Sequence, residues 1–349
     1  MKHTRNRSPL LRSLLLILYS IFIFIACAGS DEEAAQFFLK GNVQLAKREY
    51  EAAIRYYTEA IGKKPDFADA YSNRGLARFR NGDRDNALAD FTKAIEIDPA
   101  FDAAYLNRAD VRLETGEAAG ALADLTRIEK TYRDSTFYQT RLGDAYVQTN
   151  NVASAQAAYD RAIQLSPDNV EALTNRAALF YTQRQYKQAR SDLDKALAIN
   201  PQQPEALNNL SLLLAQEGQY AEALTYVNRA LDLRPGQAYY LNNKAYLLLM
   251  LNRDAEALPL LQDALRKDDR NAWAHRNLGL YYLRRQQPAD ALTALQRAER
   301  LDASVKSLYF YLGQAQQAAG NLTAACESWR RGDIADDPQA KQARATYCR

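Results

Sequence analysis

The chain has 349 residues, 47% of them hydrophobic and 25% charged, with 45 basic and 42 acidic side chains. Four of the basic residues and none of the acidic ones lie in residues 1–26, so the rest carries 41 against 42, a near-neutral balance that leaves no electrostatic footprint for nucleic acid. Two histidines, three cysteines and the lack of GxSxG, a phosphate loop or a helical HExxH leave an enzyme, a cofactor or a metal centre without residues to stand on.

At the N-terminus Lys2, Arg5, Arg7 and Arg12 precede SLLLILYSIFIFIA, an uncharged apolar run of 14 residues ending at Ala26. That is the layout of a secretion signal, and it falls short of the roughly 20 apolar residues that cross a hydrocarbon core. Cys27 follows, in the stretch FIAC, which resembles the lipobox of bacterial lipoproteins, although Phe24 departs from the aliphatic residue usual at its first position. The resemblance implies a signal peptide over residues 1–26, cleavage before Cys27 and lipidation of Cys27, with several acyl chains holding the protein to a bilayer. A plain signal peptide and an uncleaved signal anchor are the alternatives.

Ala28 is not the aspartate that retains lipoproteins at the inner membrane in well-known Gram-negative sorting, which implies the outer membrane. Ser30, Asp31, Glu32 and Glu33 resemble the serine-plus-acidic signal that carries Bacteroidota lipoproteins to the cell surface. The same residues also read as a solvated linker with an acidic, helix-favouring start. Residues 27–33 are thus taken as lipidated cysteine and acidic linker, about 20 Å long from Ala28 to Glu33 at roughly 3.3 to 3.6 Å per extended residue.

From Ala34 to Gln339 the chain divides into nine consecutive windows of 34 residues without an insertion or deletion. The twentieth position is alanine in all nine, from Ala53 to Ala325, and the eighth is always Gly, Ala or Ser. The twenty-fourth is always large and apolar: Tyr57, Phe91, Leu125, Tyr159, Leu193, Val227, Leu261, Leu295 and Trp329. Two antiparallel helices cross closely only where small residues meet, with a bulky side chain filling the space beside them. Gly or Asn near the middle of a window, as in NGD at 81–83, turns the chain, and proline closes five windows. The pattern resembles the tetratricopeptide repeat. It implies an all-α, right-handed superhelix of nine helix-turn-helix repeats, each covering its neighbour's apolar face.

Window three departs from the rest, with Ile128 in place of alanine and Arg133 in place of the closing proline. The extra volume predicts a bend or a slight opening between repeats three and four. At the other end DDPQAKQARATYCR reads as a capping helix, with Asp337 at the N-cap, Pro338 at the first helical position, and residues 340–349 as its remainder. Cys326 and Cys348 then come within bridging distance, closing a loop worth roughly 3 kcal/mol; two buried free thiols are the alternative.

In the tetratricopeptide family the first helices line a concave groove. Position six is asparagine in six windows, at Asn73, Asn107, Asn175, Asn209, Asn243 and Asn277. These amides resemble the asparagine ladder in the repeat domain of O-linked N-acetylglucosamine transferases, which binds extended polypeptide. Local backbone capping is the other reading. Windows seven and eight bring Tyr239, Asn242, Tyr246, Met250, Trp273, Arg276 and Arg284 toward one region, a composition of binding hot spots and carboxylate contacts that helix spacing alone also produces. His275 reads as a packed or rim histidine. The expected function is a membrane-anchored scaffold holding a peptide or protein segment at the envelope, similar in class to lipoprotein repeat proteins that assist outer-membrane or pilus assembly. Capture of a glycan or nutrient on the aromatic rings is the alternative.

Overall fold

The computed structural model describes residues 30–348. Cys27, the signal segment and Ala28 lie outside the described residues. Nineteen helices and no strands are present among the described residues, and none of these helices is long and apolar enough to cross a membrane. They form two compact units, one ending at Pro167 and the other beginning at Asp168.

The first unit holds repeats one to four. Their paired helices are α1 (30–46) with α2 (Tyr50–Lys63), α3 (Ala68–Arg80) with α4 (Arg84–Ile97), α5 (Asp102–Thr115) with α6 (Ala118–Tyr132), and α7 (Thr136–Gln148) with α8 (Val152–Leu165). The second unit holds repeats five to nine: α9 (Val170–Thr182) with α10 (Tyr186–Ile199), α11 (Pro204–Gln216) with α12 (Tyr220–Leu233), α13 (Ala238–Met250) with α14 (Asp254–Lys267), α15 (Ala272–Arg284) with α16 (Pro288–Leu301), and α17 (Leu308–Ala318) with α18 (Leu322–Ile334). The cap α19 (Pro338–Tyr347) follows.

The alanines at position twenty are fully buried in every repeat, and so are the bulky residues at position twenty-four. Positions eight and twenty-four face each other and divide a fixed volume between them. A methyl group added at Gly41 would lie 2.6 Å from the Tyr57 ring, and one at Gly75 would lie 3.0 Å from Phe91. Gly143 and Gly313 sit as tightly under Tyr159 and Trp329. Where position twenty-four shrinks to Leu125, Leu193, Val227 or Leu261, position eight grows to Ala109, Ala177, Ser211 or Ala245. Interiors at crystal-like density demand such compensation.

A second tie within repeats two, three and five is ionic. Arg74 grips Asp90 with two hydrogen bonds of 2.9 and 2.7 Å while Arg78 adds a third at 2.7 Å. Arg108 and Arg112 do the same to Asp124, and Arg176 to Asp192. All three aspartates are buried, and each sits 16 residues after its arginine, a spacing visible in the sequence though not read from it.

Three sequence expectations need correction. The acidic segment is not an extended linker: Ser30 to Glu33 form the first turn of α1, where Glu33 pairs with Lys63 at 2.5 Å and Asp31 with Lys64 at 3.7 Å. Repeats three and four do not open at their junction. Ile128 and Tyr138 are each only 1% exposed, the Tyr138 hydroxyl donates to the Leu125 carbonyl at 3.2 Å, and α6 runs on to Tyr132 where proline stops its counterparts. Last, glycine and asparagine do not make every turn, because Arg48, Arg184 and Gln286 also take left-handed backbone there.

The C-terminal end follows its capping chemistry. Asp337 accepts from the Gln339 and Ala340 backbone N–H groups, Pro338 opens α19, and Ala340 and Ala343 are buried against α18. The sulfurs of Cys326 and Cys348 are bonded, with their Cα atoms 5.7 Å apart.

Candidate functional site

Within each unit the first helices of successive repeats adjoin along one side, and the position-six asparagines lie there. In the first unit Asn73 donates to Asn42 Oδ1 at 2.9 Å, an oxygen that also accepts from the Tyr57 hydroxyl. Asn107 and, in the second unit, Asn175 are half-buried.

Further along the second unit the amides join each other. Asn277 donates to Asn242 at 2.7 Å, Asn242 to Asn243 at 3.3 Å, Asn243 to Asn208 at 2.8 Å, and Asn208 to Asn209 at 3.4 Å. Each carbonyl accepts from one neighbour while its own NH2 donates to the next, so the side-chain dipoles point one way and reinforce one another. This differs from the expected ladder. Asn242 and Asn277 are 3% and 2% exposed, so their groups are spent tying helix to helix, and within this relay only Asn209 and Asn243 stay partly accessible. The doubled asparagines at 208–209 and 242–243 are the signal for this arrangement, because position six of one repeat reaches position five of the repeat before.

At the start of the relay stands Arg276, whose Nη1 donates to Asn277 Oδ1 at 2.7 Å. Arg276 is 5% exposed, and its Nε–H is buried without a hydrogen-bond partner. Its guanidinium lies over three rings, 5.1 Å from the centre of Trp273, 5.2 Å from Tyr246 and 5.7 Å from Tyr311. No carboxylate pairs with it among the described residues. Burial drives its pKa down, against the pull of the phenols of Tyr311 and Tyr246 and the carboxylate of Asp337. Asp337 caps α19 with one oxygen while the other, Oδ2, is buried and unpartnered.

Phenols complete the lining. Tyr181 is pushed up to about 12 by burial, and Tyr246 and Tyr311 are raised by the same cause, partly offset by the Arg276 charge. Neutral phenols, amides and ring faces therefore surround one cation. An isolated buried charge is costly, and each ring face offsets only about 0.5 to 2 kcal/mol of that. The chemistry such a cage performs is the binding of an anion, best a planar carboxylate that can take two parallel N–H bonds.

Of the aromatic and basic residues singled out from the sequence, the structure gathers Asn242, Tyr246, Trp273 and Arg276 into this cage. Tyr239 instead stacks edge-on against Tyr240, and Met250 packs against the core. Arg284 turns away to Asp254 and Asn252, at 2.8 and 2.6 Å. Tyr181 and Tyr311, from repeats five and nine, were not legible as partners. His275 Nε2 rests 2.9 Å from the Asp269 carbonyl, a local contact. Among the described residues no three His, Cys, Asp or Glu side chains gather as a metal site would require.

Comparison with known proteins agrees with this architecture. The chain resembles a protein in the crystal structure of the APC/C hetero-tetramer Cut9–Hcn1, with 16% identity over 90% of this chain and 76% of the other, at a TM-score of 0.65. It also resembles a tetratricopeptide repeat protein from Parabacteroides merdae (19% identity, 71% and 98% coverage, TM-score 0.54) and pilF of Pseudomonas aeruginosa (20%, 62% and 99%, 0.51). No curated protein matches it. The tetratricopeptide repeat profile matches residues 38–100, 140–204, 176–238, 208–272 and 276–340, and a second profile of the same description matches 78–142. With nearly all of residues 38–340 accounted for in this way, the chain belongs to the tetratricopeptide repeat family.

Proposed function

We propose that this protein is an envelope scaffold that captures an acidic polypeptide segment along the first helices of repeats five to nine, with one carboxylate of the ligand seated on Arg276. A tetratricopeptide architecture supports a protein partner, and the observation that carries the ligand's chemistry is a guanidinium 5% exposed with no counter-anion. A carboxylate there would satisfy the free Nε–H and neutralise the charge, while Asn209 and Asn243 offer amide groups to the backbone of the same segment. The protein would act by holding its partner, without a reaction of its own. Lipidation at Cys27 would tether it to the outer membrane. Because Ser30 to Glu33 are already helical, that tether is shorter than an extended acidic linker and keeps capture close to the bilayer.

Binding of poly-L-glutamate to the full chain in detergent micelles, followed by calorimetry, tests this reading. Wild-type protein binds it and Arg276→Gln loses at least about tenfold in affinity, the scale of one charge-assisted contact. Equal binding by both proteins would end the proposal. The ring of Trp273, 42% exposed beside Arg276, favours a second reading, a carboxylate-bearing glycan stacked on the indole. Polygalacturonate in place of poly-L-glutamate separates the two. Acyl labelling lost in Cys27→Ala tests the tether.

A further inference from the structure

Arg276 is nearly sealed, so no polymer carboxylate reaches it while the segments around it stay in place. Two polar side-chain contacts tie those segments. Arg184, in the turn between α9 and α10, donates to Asp336 Oδ2 at 2.9 Å across 152 residues of sequence. Lys306 Nζ donates to Gln216 Oε1 at 2.6 Å across 90. Both join repeats five and six to repeat nine and the turn before the cap, so this unit curls back on itself. Lys306 is free to reach across because α17 starts only at Leu308, after Ser307 takes left-handed backbone.

The closure has no backbone packing behind it. Among the described residues, no helix of repeats five or six packs on α17, α18 or α19. The ion-pair side chains are 67% and 80% exposed. The closure also lies near the site, since Lys306 stands five residues before Tyr311, whose ring centre is 5.7 Å from the Arg276 guanidinium, and it feels the charges of Arg184, Arg276 and Asp337.

We infer that Arg184–Asp336 and Lys306–Gln216 form a clasp that shuts the Arg276 site and must release before a ligand enters. The inference rests on Arg276 being the binding group proposed above. An exposed ion pair is weak and screened by salt, so the clasp opens reversibly and more often as ionic strength rises. The ligand's own attraction to Arg276 falls with salt, so the clasp is read through access to the site, independently of binding.

The experiment treats the full chain in detergent micelles with phenylglyoxal and follows modification of Arg276 by mass spectrometry, relative to the exposed Arg270. Asp336→Arg and Arg184→Asp should each raise the relative rate at Arg276 by about fivefold, the scale of one exposed ion pair, and Lys306→Ala should raise it as well. Combining Arg184→Asp with Asp336→Arg restores the pair and should return the rate to that of wild type. Raising salt from about 0.02 M to about 0.5 M should speed wild type and leave Asp336→Arg unchanged. The salt series needs no variant, and an intact Cys326–Cys348 bond with unchanged helix content shows that the variants fold. A relative rate unmoved by salt and by both single charge changes overturns the clasp. If the variants expose Arg276 and poly-L-glutamate still fails to bind, the clasp stands and the binding role of Arg276 falls.

Discussion

Arg276 occupies position five of its repeat, where the two preceding repeats place Asn208 and Asn242. An amide there continues the relay, whereas the arginine ends it in a buried charge that ring faces and one amide oxygen only partly compensate. Replacing buried ion pairs by well-packed apolar residues of similar volume is often neutral or stabilising by about 1–4 kcal/mol, and a buried charge with less compensation than a pair has more to gain. Arg276→Met should therefore raise the thermal midpoint of the ligand-free protein while removing carboxylate binding. A fall in the midpoint would mean that the guanidinium is held for packing. The buried tyrosines set a limit in alkali. Tyr57, Tyr138 and Tyr181 are each pushed up to about 12 by burial, while the unfolded chain ionises them near their ordinary value of about 10. The folded state keeps the extra proton, so the stability they contribute is whole below about pH 10 and lost as pH climbs toward 12. Phenolate absorbance should rise in two stages, the later one together with loss of the helical signal. Full ionisation with the helices intact would contradict the assignment.

Helix pairing in eight of the nine repeats follows a trade of volume between positions eight and twenty-four; repeat eight keeps Gly279 against Leu295, where an added methyl group would lie 2.4 Å from the leucine. Gly143 lies under Tyr159, so Gly143→Ala forces the ring aside and should cost about 1–3 kcal/mol. Repeats three, five and seven already combine alanine with leucine at these positions. Gly143→Ala together with Tyr159→Leu should then recover much of the loss, and chemical denaturation of the two variants measures it. Additive damage in the double variant would show that the two positions do not share one space. The same element-level view accounts for repeats three and four, where Ile128 is larger than every residue at its equivalents and Tyr138 is larger than all of its own but Tyr240. A longer α6 and a hydroxyl bonded to a carbonyl accommodate them.

At the scale of the whole molecule the last repeat of a solenoid lacks a further repeat to cover its apolar face. The second unit ends on α19, fastened by Asp337 capping, by Trp329 against Tyr347 and by the Cys326–Cys348 bond. That bond closes a span of 22 residues, worth about 3 kcal/mol in the chain-entropy picture. Reduction, or Cys326→Ala with Cys348→Ala, should lower the melting transition of this unit, and hydrogen exchange should show α18 and α19 opening first. Unchanged protection there would remove the bond's stabilising role.

Period, helix pairing and the cap were legible in the sequence because contacts between consecutive helices are local: the same residue types must recur every 34 positions for each hairpin to close and cover the next. Half of the cage around Arg276 was legible for the same reason, since Asn242, Tyr246, Trp273 and Arg276 stand in adjacent repeats. The other half was not. Tyr311 lies over Arg276, and Tyr181, Lys306 and Asp337 come within reach of its charge, only because the second unit curls, and curvature accumulates from small rotations at every interface, which no single repeat encodes. The amides divided along the same line: the 34-residue period put asparagine at position six, and tertiary packing decided that Asn209, Asn243 and Asn277 would bond the position-five amides of Asn208 and Asn242.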